Sequence, residues 1–237
     1  MSMTLLHGAV IKNCIDIARM LVSHGAKVNA QDNDGLAPLH HAVIHAALHA
    51  ARQHNFELMI EFLLDHDANT RLLTKESYSP MALAISGNRG SIIRLLYVRG
   101  AAQNLQDDPN IMNVAVVRGS KDLVQHLIHL KADVNASSTT KSLGWQGIKP
   151  LHTLAIGRAK DETRVLEVGQ CLIENGAIVD AEDPMHRTPL CCAAEMDNKE
   201  MALLLLRHGA QLHMVHGKFR PKILEWQNSS PSSLEVY

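Results

Sequence analysis

Residues 37–42 read Ala37-Pro-Leu-His-His-Ala42, and residues 60–68 read Ile60-Glu-Phe-Leu-Leu-Asp-His-Asp-Ala68. The first stretch puts a proline where a helix begins: an N1 proline loses only an N–H that has no intrahelical partner there, and its φ is preset for the helix. The second stretch is an apolar run that closes on a turn. Both recur. The first returns as Thr4-Leu-Leu-His-Gly-Ala9, Ser79-Pro-Met-Ala-Leu-Ala84, Asn110-Ile-Met-Asn-Val-Ala115, Lys149-Pro-Leu-His-Thr-Leu154 and Thr188-Pro-Leu-Cys-Cys-Ala193. The second closes at Ala26, Ala68, Ala101, Ala132, Ala177 and Ala210, at intervals of 42, 33, 31, 45 and 33 residues. Six units follow, and self-similarity at such a period marks a solenoid in which each unit buries its apolar face only against its neighbours.

These residues resemble the ankyrin repeat, whose T-P-L-H-x-A pattern and period of about 33 residues they match. The resemblance covers about residues 1–216 and implies an all-α solenoid of stacked helix-turn-helix units with hairpin-like turns. The units fall at about 1–33, 34–75, 76–106, 107–145, 146–184 and 185–216. Pro38, Pro80, Pro150 and Pro189 start the first helices of four units, while Leu5 and Ile111 take that slot in the first and fourth. The alanine four residues later, replaced by Leu154 in the fifth unit, keeps each helix thin enough for close stacking. Leu21, Leu63, Leu96, Leu127, Leu172 and Leu205, each five residues before a closing alanine, are the expected continuous core. Glycine at the end of a second helix supplies a left-handed cap.

Composition agrees with thin stacked helices. The 237 residues are 46% hydrophobic but only 3% aromatic, so burial rests on aliphatic and small side chains. Twenty-three basic residues against twenty-four acidic ones give a formal net charge of −1, which supplies no global field for nucleic acid or anionic lipid. Cys14, Cys171, Cys191 and Cys192 form no CxxC pair and no disulfide framework, and the N-terminal residues have neither a basic segment nor a long apolar run. A reduced intracellular protein, cytoplasmic or nuclear, is the expectation, monomeric or one domain of a larger chain.

Departures from the period are informative. About nine extra residues lie between Ala42 and Met59, and their alanine-rich composition predicts a lengthened first helix. Further insertions fall in the turn at 137–147 and between Ile156 and Val168. After Ala210 the pattern stops. Phe219-Arg-Pro-Lys-Ile-Leu-Glu-Trp226, within 217–227, reads as a truncated seventh first helix whose Phe219, Ile223, Leu224 and Trp226 cover the Leu203–Leu206 helix, as a soluble stack requires. Residues 228–237 read as a disordered tail.

The chain carries 15 histidines. His7, His40 and His152 occupy the fourth position of the pattern, where the resemblance implies hydrogen bonds tying turn to helix. His24, His66 and His208 stand at second-helix C-termini, where a donor complements the dipole. His41, His45 and His49 remain, spaced i, i+4, i+8 as one helical stripe. Imidazoles at i, i+4 can share a metal, but no carboxylate lies in the stripe and no HExxH is present. No nucleophile elbow, phosphate loop or paired-acid motif occurs, so no catalytic residue, no cofactor and no bound metal is expected.

Ankyrin arrays use turn tips and the exposed side of first helices as a concave binding surface. Carried over slot by slot, the resemblance implies partner contacts at Asp34, Leu36, His41, His45, Tyr78, Arg118, Trp145, Ile148, Met185, Arg187, Glu195 and Met196. Tyr78, Trp145, Arg118 and Arg187 rank first, because aromatic and Arg side chains dominate interface energetics. The expected function is a non-catalytic scaffold that binds another protein or peptide, not nucleic acid or membrane. The alternative is a small-molecule or metal-binding groove, with or without catalysis, centred on the histidine stripe.

Overall fold

The computed structural model describes residues 3–48, 53–99, 108–140, 146–157 and 162–229. Among them the regular structure is helical throughout, with no strand. The helices run in chain order as α1 (Leu5–Ile11), α2 (Ile15–Ser23), α3 (Pro38–Leu48), α4 (Gln53–Asp65), α5 (Pro80–Ser86), α6 (Gly90–Val98), α7 (Ile111–Val117), α8 (Lys121–His129), α9 (Pro150–Ile156), α10 (Glu162–Glu174), α11 (Pro189–Glu195) and α12 (Lys199–Arg207). Two single turns of 3-10 helix, Leu212–Met214 and Gly217–Phe219, lead into α13 (Arg220–Asn228). The fold is the ankyrin-type helix-pair solenoid. The chain divides into two compact units, Met1–Val114 and Ala115–Tyr237.

First helices start where the sequence places them. Thr4, Ser79 and Thr188 cap α1, α5 and α11 by accepting the amides of His7, Ala82 and Cys191. Each such cap is worth about 1 kcal/mol. Pro38, Pro80, Pro150 and Pro189 are all buried first-turn residues. Ala42, Ala84, Ala115 and Ala193 have no exposed surface, and a larger side chain there would hold neighbouring helices apart.

The core leucines behave as a seam. Leu63, Leu96, Leu172 and Leu205 are fully buried and Leu127 is 2% exposed. Leu21 differs, being half-buried, and Leu5, Ile17 and Met20 around it are exposed. Among the described residues the first unit has a neighbouring unit on one side only.

Repeats are also clamped through the turns. The Asn29 amide donates to the Asp67 carbonyl at 2.9 Å and accepts the Asn69 N–H at 2.7 Å. Asn135 does the same to Gly176 and Ile178, each at 2.9 Å. The Asp180 carboxylate accepts the Gln211 N–H. These residues occupy one slot, Val28-Asn29-Ala30, Val134-Asn135-Ala136 and Val179-Asp180-Ala181, so the clamp repeats with the sequence. A net hydrogen bond contributes about 1 kcal/mol, and the two made by each asparagine fix the register of neighbouring units.

The insertions become helix, with one correction. α3 has 11 residues where α1, α5, α7, α9 and α11 have 7, but α4 also has 13 where α2, α6, α8 and α12 have 9. The insertion before Met59 is therefore shared by both helices of its pair, because two antiparallel helices that lengthen together keep burying each other. The insertion after Ile156 likewise goes into α10, which has 13 residues. His49 and the insertion residues 141–145 lie outside the described residues.

α13 packs on α12. Ile223 is fully buried and Phe219 and Trp226 are half-buried, but Leu224 is 46% exposed and faces away. Lys222 donates to the carbonyl of Ala194 at 3.1 Å, closing the end of α11, and also pairs with Asp197. The helix continues to Asn228, the first residue of the segment expected to be a tail, whose residues 230–237 lie outside the described ones.

Candidate functional site

The fourth-position histidines set the shape of every turn they reach. The Thr4 N–H donates to His7 Nδ1 at 3.1 Å, so Nε2 carries the proton and donates to the Leu36 carbonyl at 3.0 Å. His40 repeats this, accepting the Ala37 N–H and donating to the Leu72 carbonyl at 2.9 Å, and His152 donates to the Arg187 carbonyl at 2.9 Å. A neutral ring can both accept and donate, whereas an imidazolium can only donate. Burial accordingly lowers the pKa of all three, that of His40 to about 4. His24 and His66 donate to the carbonyls of Met20 and Phe62 one turn back, each at 2.8 Å. His208 instead reaches the Gln170 side chain on α10 at 2.9 Å.

Two turn tips are built alike around an aspartate. Asp32 Oδ1 accepts the amides of Asp34 and Leu36, each at 2.9 Å, and Oδ2 accepts His41 Nε2–H at 2.8 Å. Burial raises the Asp32 carboxyl, but the bonds from His41 and from the Leu36 and Asp34 amides outweigh it and hold the group below its ordinary value. Asp183 Oδ1 accepts the amides of Met185 and Arg187 at 2.8 and 2.9 Å, and Oδ2 takes the Arg187 guanidinium at 2.8 Å. Burial again acts against the Asp183 charge and is overcome by Arg187, first through its amide and then through its side chain. Arg187 also donates to Glu195 on α11 at 3.2 Å. Both aspartates lie six residues before a first-helix proline, as does Thr74, whose hydroxyl accepts the Tyr78 amide at 3.1 Å. Sequence reasoning missed this slot, although aligning the units on proline exposes it.

The structure sorts the expected contacts. Asp34, Arg118 and Met185 are exposed, Met185 by 67%. Tyr78, Arg187, Glu195 and Met196 are half-buried with an open side, and Arg187 and Glu195 are joined. Leu36 is half-buried, and its carbonyl and amide are both committed to holding the turn. Ile148 is a correction: at 3% exposure it is a core residue, because its carbonyl pairs with the Ser138 amide and draws its side chain inward. Trp145 lies outside the described residues.

The histidine stripe is packed. His41 is 9% exposed and engaged with Asp32, and its ring stands edge-on to His7 at 5.4 Å. His45 stacks between His41 at 6.4 Å and Phe56 at 6.1 Å. The carboxylate absent from the stripe arrives from the preceding turn and accepts the His41 Nε2–H.

Two family models described as ankyrin repeats match residues 6–52 and 111–215. The chain belongs to the ankyrin repeat family. It is 29% identical over 216 residues to human ankyrin repeat and SOCS box protein 16, covering 88% of this chain and 44% of that protein. It is 28% identical over 188 residues to the mouse B-cell lymphoma 3 protein homolog, covering 77% and 38%. The chain thus spans less than half the length of these curated relatives. Among solved structures it is similar to the human ASB11 ankyrin repeat domain (TM-score 0.63, 20% identity, 98% of this chain and 100% of that one). The ankyrin repeat domain of Bcl-3 gives a TM-score of 0.64 at 21% identity, over 94% and 99%. Ankyrin repeats generally mediate protein–protein interaction and are typically non-catalytic.

Proposed function

We propose that this chain is a non-catalytic recognition scaffold that binds another protein or peptide through its turn tips and the adjoining ends of its first helices. The observation that carries this reading is the turn 183–187, where Asp183 fixes the backbone through two amides and the Arg187 side chain while Met185 stands 67% exposed at the tip. A tip ordered before binding loses little entropy on association, and exposed Met and Arg are residue types enriched in interfaces. The turn 32–36 presents Asp34 in the same way. The four unpaired cysteines fit a reducing intracellular compartment, cytoplasm or nucleus, a placement that imaging of the tagged chain checks.

Affinity capture followed by mass spectrometry, with the native chain beside the Arg118→Glu/Met185→Asp double variant, tests the site. Both side chains are exposed, so the variant folds and melts like the native chain. Specific partners are lost from the variant by at least about tenfold, the equivalent of one lost anchor. Capture unchanged in the folded variant overturns the assignment.

A further inference from the structure

In the sixth unit the histidine of the repeat pattern is replaced by Cys191, and what faces it differs from what faces His7, His40 and His152. Cys191 is 1% exposed on the first turn of α11. Glu195 lies one turn on along the same helix, and His216 stands immediately before the 3-10 turn Gly217–Phe219. One ligand atom from each of the three, thiol sulfur, carboxylate oxygen and imidazole nitrogen, lies within 4.8 Å of the other two. We propose that Cys191, Glu195 and His216 form a site for a divalent transition ion of zinc type, which pins the turn at 216 to α11.

The donor set argues for this class of ion. A thiolate, an imidazole and a carboxylate suit Zn²⁺ and exclude Mg²⁺ and Ca²⁺, which take oxygen ligands. Metal–ligand bonds of about 2.0–2.3 Å put tetrahedral neighbours about 3.5 Å apart, so side-chain rotations of little more than an ångström close the site. A water completes the four ligands. One group around the ligands is already placed: Arg187 holds one carboxylate oxygen of Glu195, leaving the other for the metal. Such a partner orients a ligand and stabilises its charge.

The other cluster of this kind, His7 with Asp32 and His41, is different. There both nitrogens of His7 and Nε2 of His41 are already hydrogen-bonded. At the second cluster, among the described residues, neither ring nitrogen of His216 has a hydrogen-bond partner. Ligation takes the thiolate, so metal uptake displaces the Cys191 thiol proton. Affinity therefore falls as pH falls.

The test uses the full chain, reduced, stripped with a chelator and titrated with Co²⁺ as a spectroscopic stand-in. A sulfur-to-cobalt charge-transfer band and tetrahedral visible bands grow to one equivalent per chain and vanish on adding Zn²⁺. Cys191→Ser removes the charge-transfer band, and Cys14→Ser leaves it. His216 is exposed, so His216→Ala folds normally while its Co²⁺ affinity drops at least about tenfold. Zn²⁺ raises the melting temperature of the native chain and not of His216→Ala. A native chain with no thiolate band, a band that survives Cys191→Ser, or an affinity unchanged in His216→Ala overturns the proposal.

Discussion

His40 shows how one side chain couples the fold to pH. Its Nδ1 accepts a backbone amide and its Nε2 donates to a carbonyl of the next turn, an arrangement open only to the neutral ring. With a folded pKa near 4 against an ordinary 6.5, the folded chain resists a proton that the unfolded chain accepts. His40 therefore contributes its full stability above pH 6.5, and that contribution is lost progressively as pH falls toward 4. Urea unfolding at pH 7 and pH 5 should differ by about 2 kcal/mol from this residue alone. His40→Gln, less stable at pH 7, should show a visibly smaller drop. Asp32 and Asp183, held below the ordinary carboxylate range, do not titrate in that window, so equal drops in both chains count against the assignment. The role of His40 is legible in the sequence because the pattern repeats. The Asp32–His41 pair is not, since nine residues separate the partners and only the turn geometry brings Nε2 and Oδ2 to 2.8 Å.

At the scale of the element, the turn at 32–36 depends on Gly35. Its φ is +77°, and a Cβ built there would meet the Lys75 amide nitrogen at 2.8 Å. The closeness follows from the bond between the Lys75 N–H and the Asp34 carbonyl at 2.9 Å, which docks one turn on the next. Gly35→Ala should therefore cost about 2 kcal/mol or more, from left-handed strain together with a backbone clash, and lower the urea midpoint without changing the helix content. The lengthened pair α3 and α4 is the counterpart among helices. Alanine content in the sequence pointed to one longer helix, but burial of two antiparallel helices rewards lengthening both. That preference belongs to the pair, so helix propensity in either segment alone cannot reveal it.

At the scale of the whole molecule, a helix-pair solenoid rests on units covering one another, and in the second compact unit α12 is covered by α13, which is not a full repeat. Ile223 of α13 is fully buried, against α12, in a helix otherwise half-exposed or exposed. Ile223→Ala should cost about 2–5 kcal/mol, the range for a buried aliphatic truncation, and expose the leucines of α12. Calorimetry reads the loss, and light scattering reads the self-association that follows; an unchanged melting temperature would mean α13 is not a cap. By itself the sequence determined the repeat, its period, the helix starts, the aliphatic seam and the fourth-position histidines. Those follow from periodicity, proline and the need of each unit to bury the same face. Only the tertiary structure decided that Ile148 is core, that Asp32 and Asp183 fix the turn tips, and that Cys191, Glu195 and His216 converge. Each of those depends on side chains meeting across different segments of the chain, and a local pattern holds no information about the distance between them.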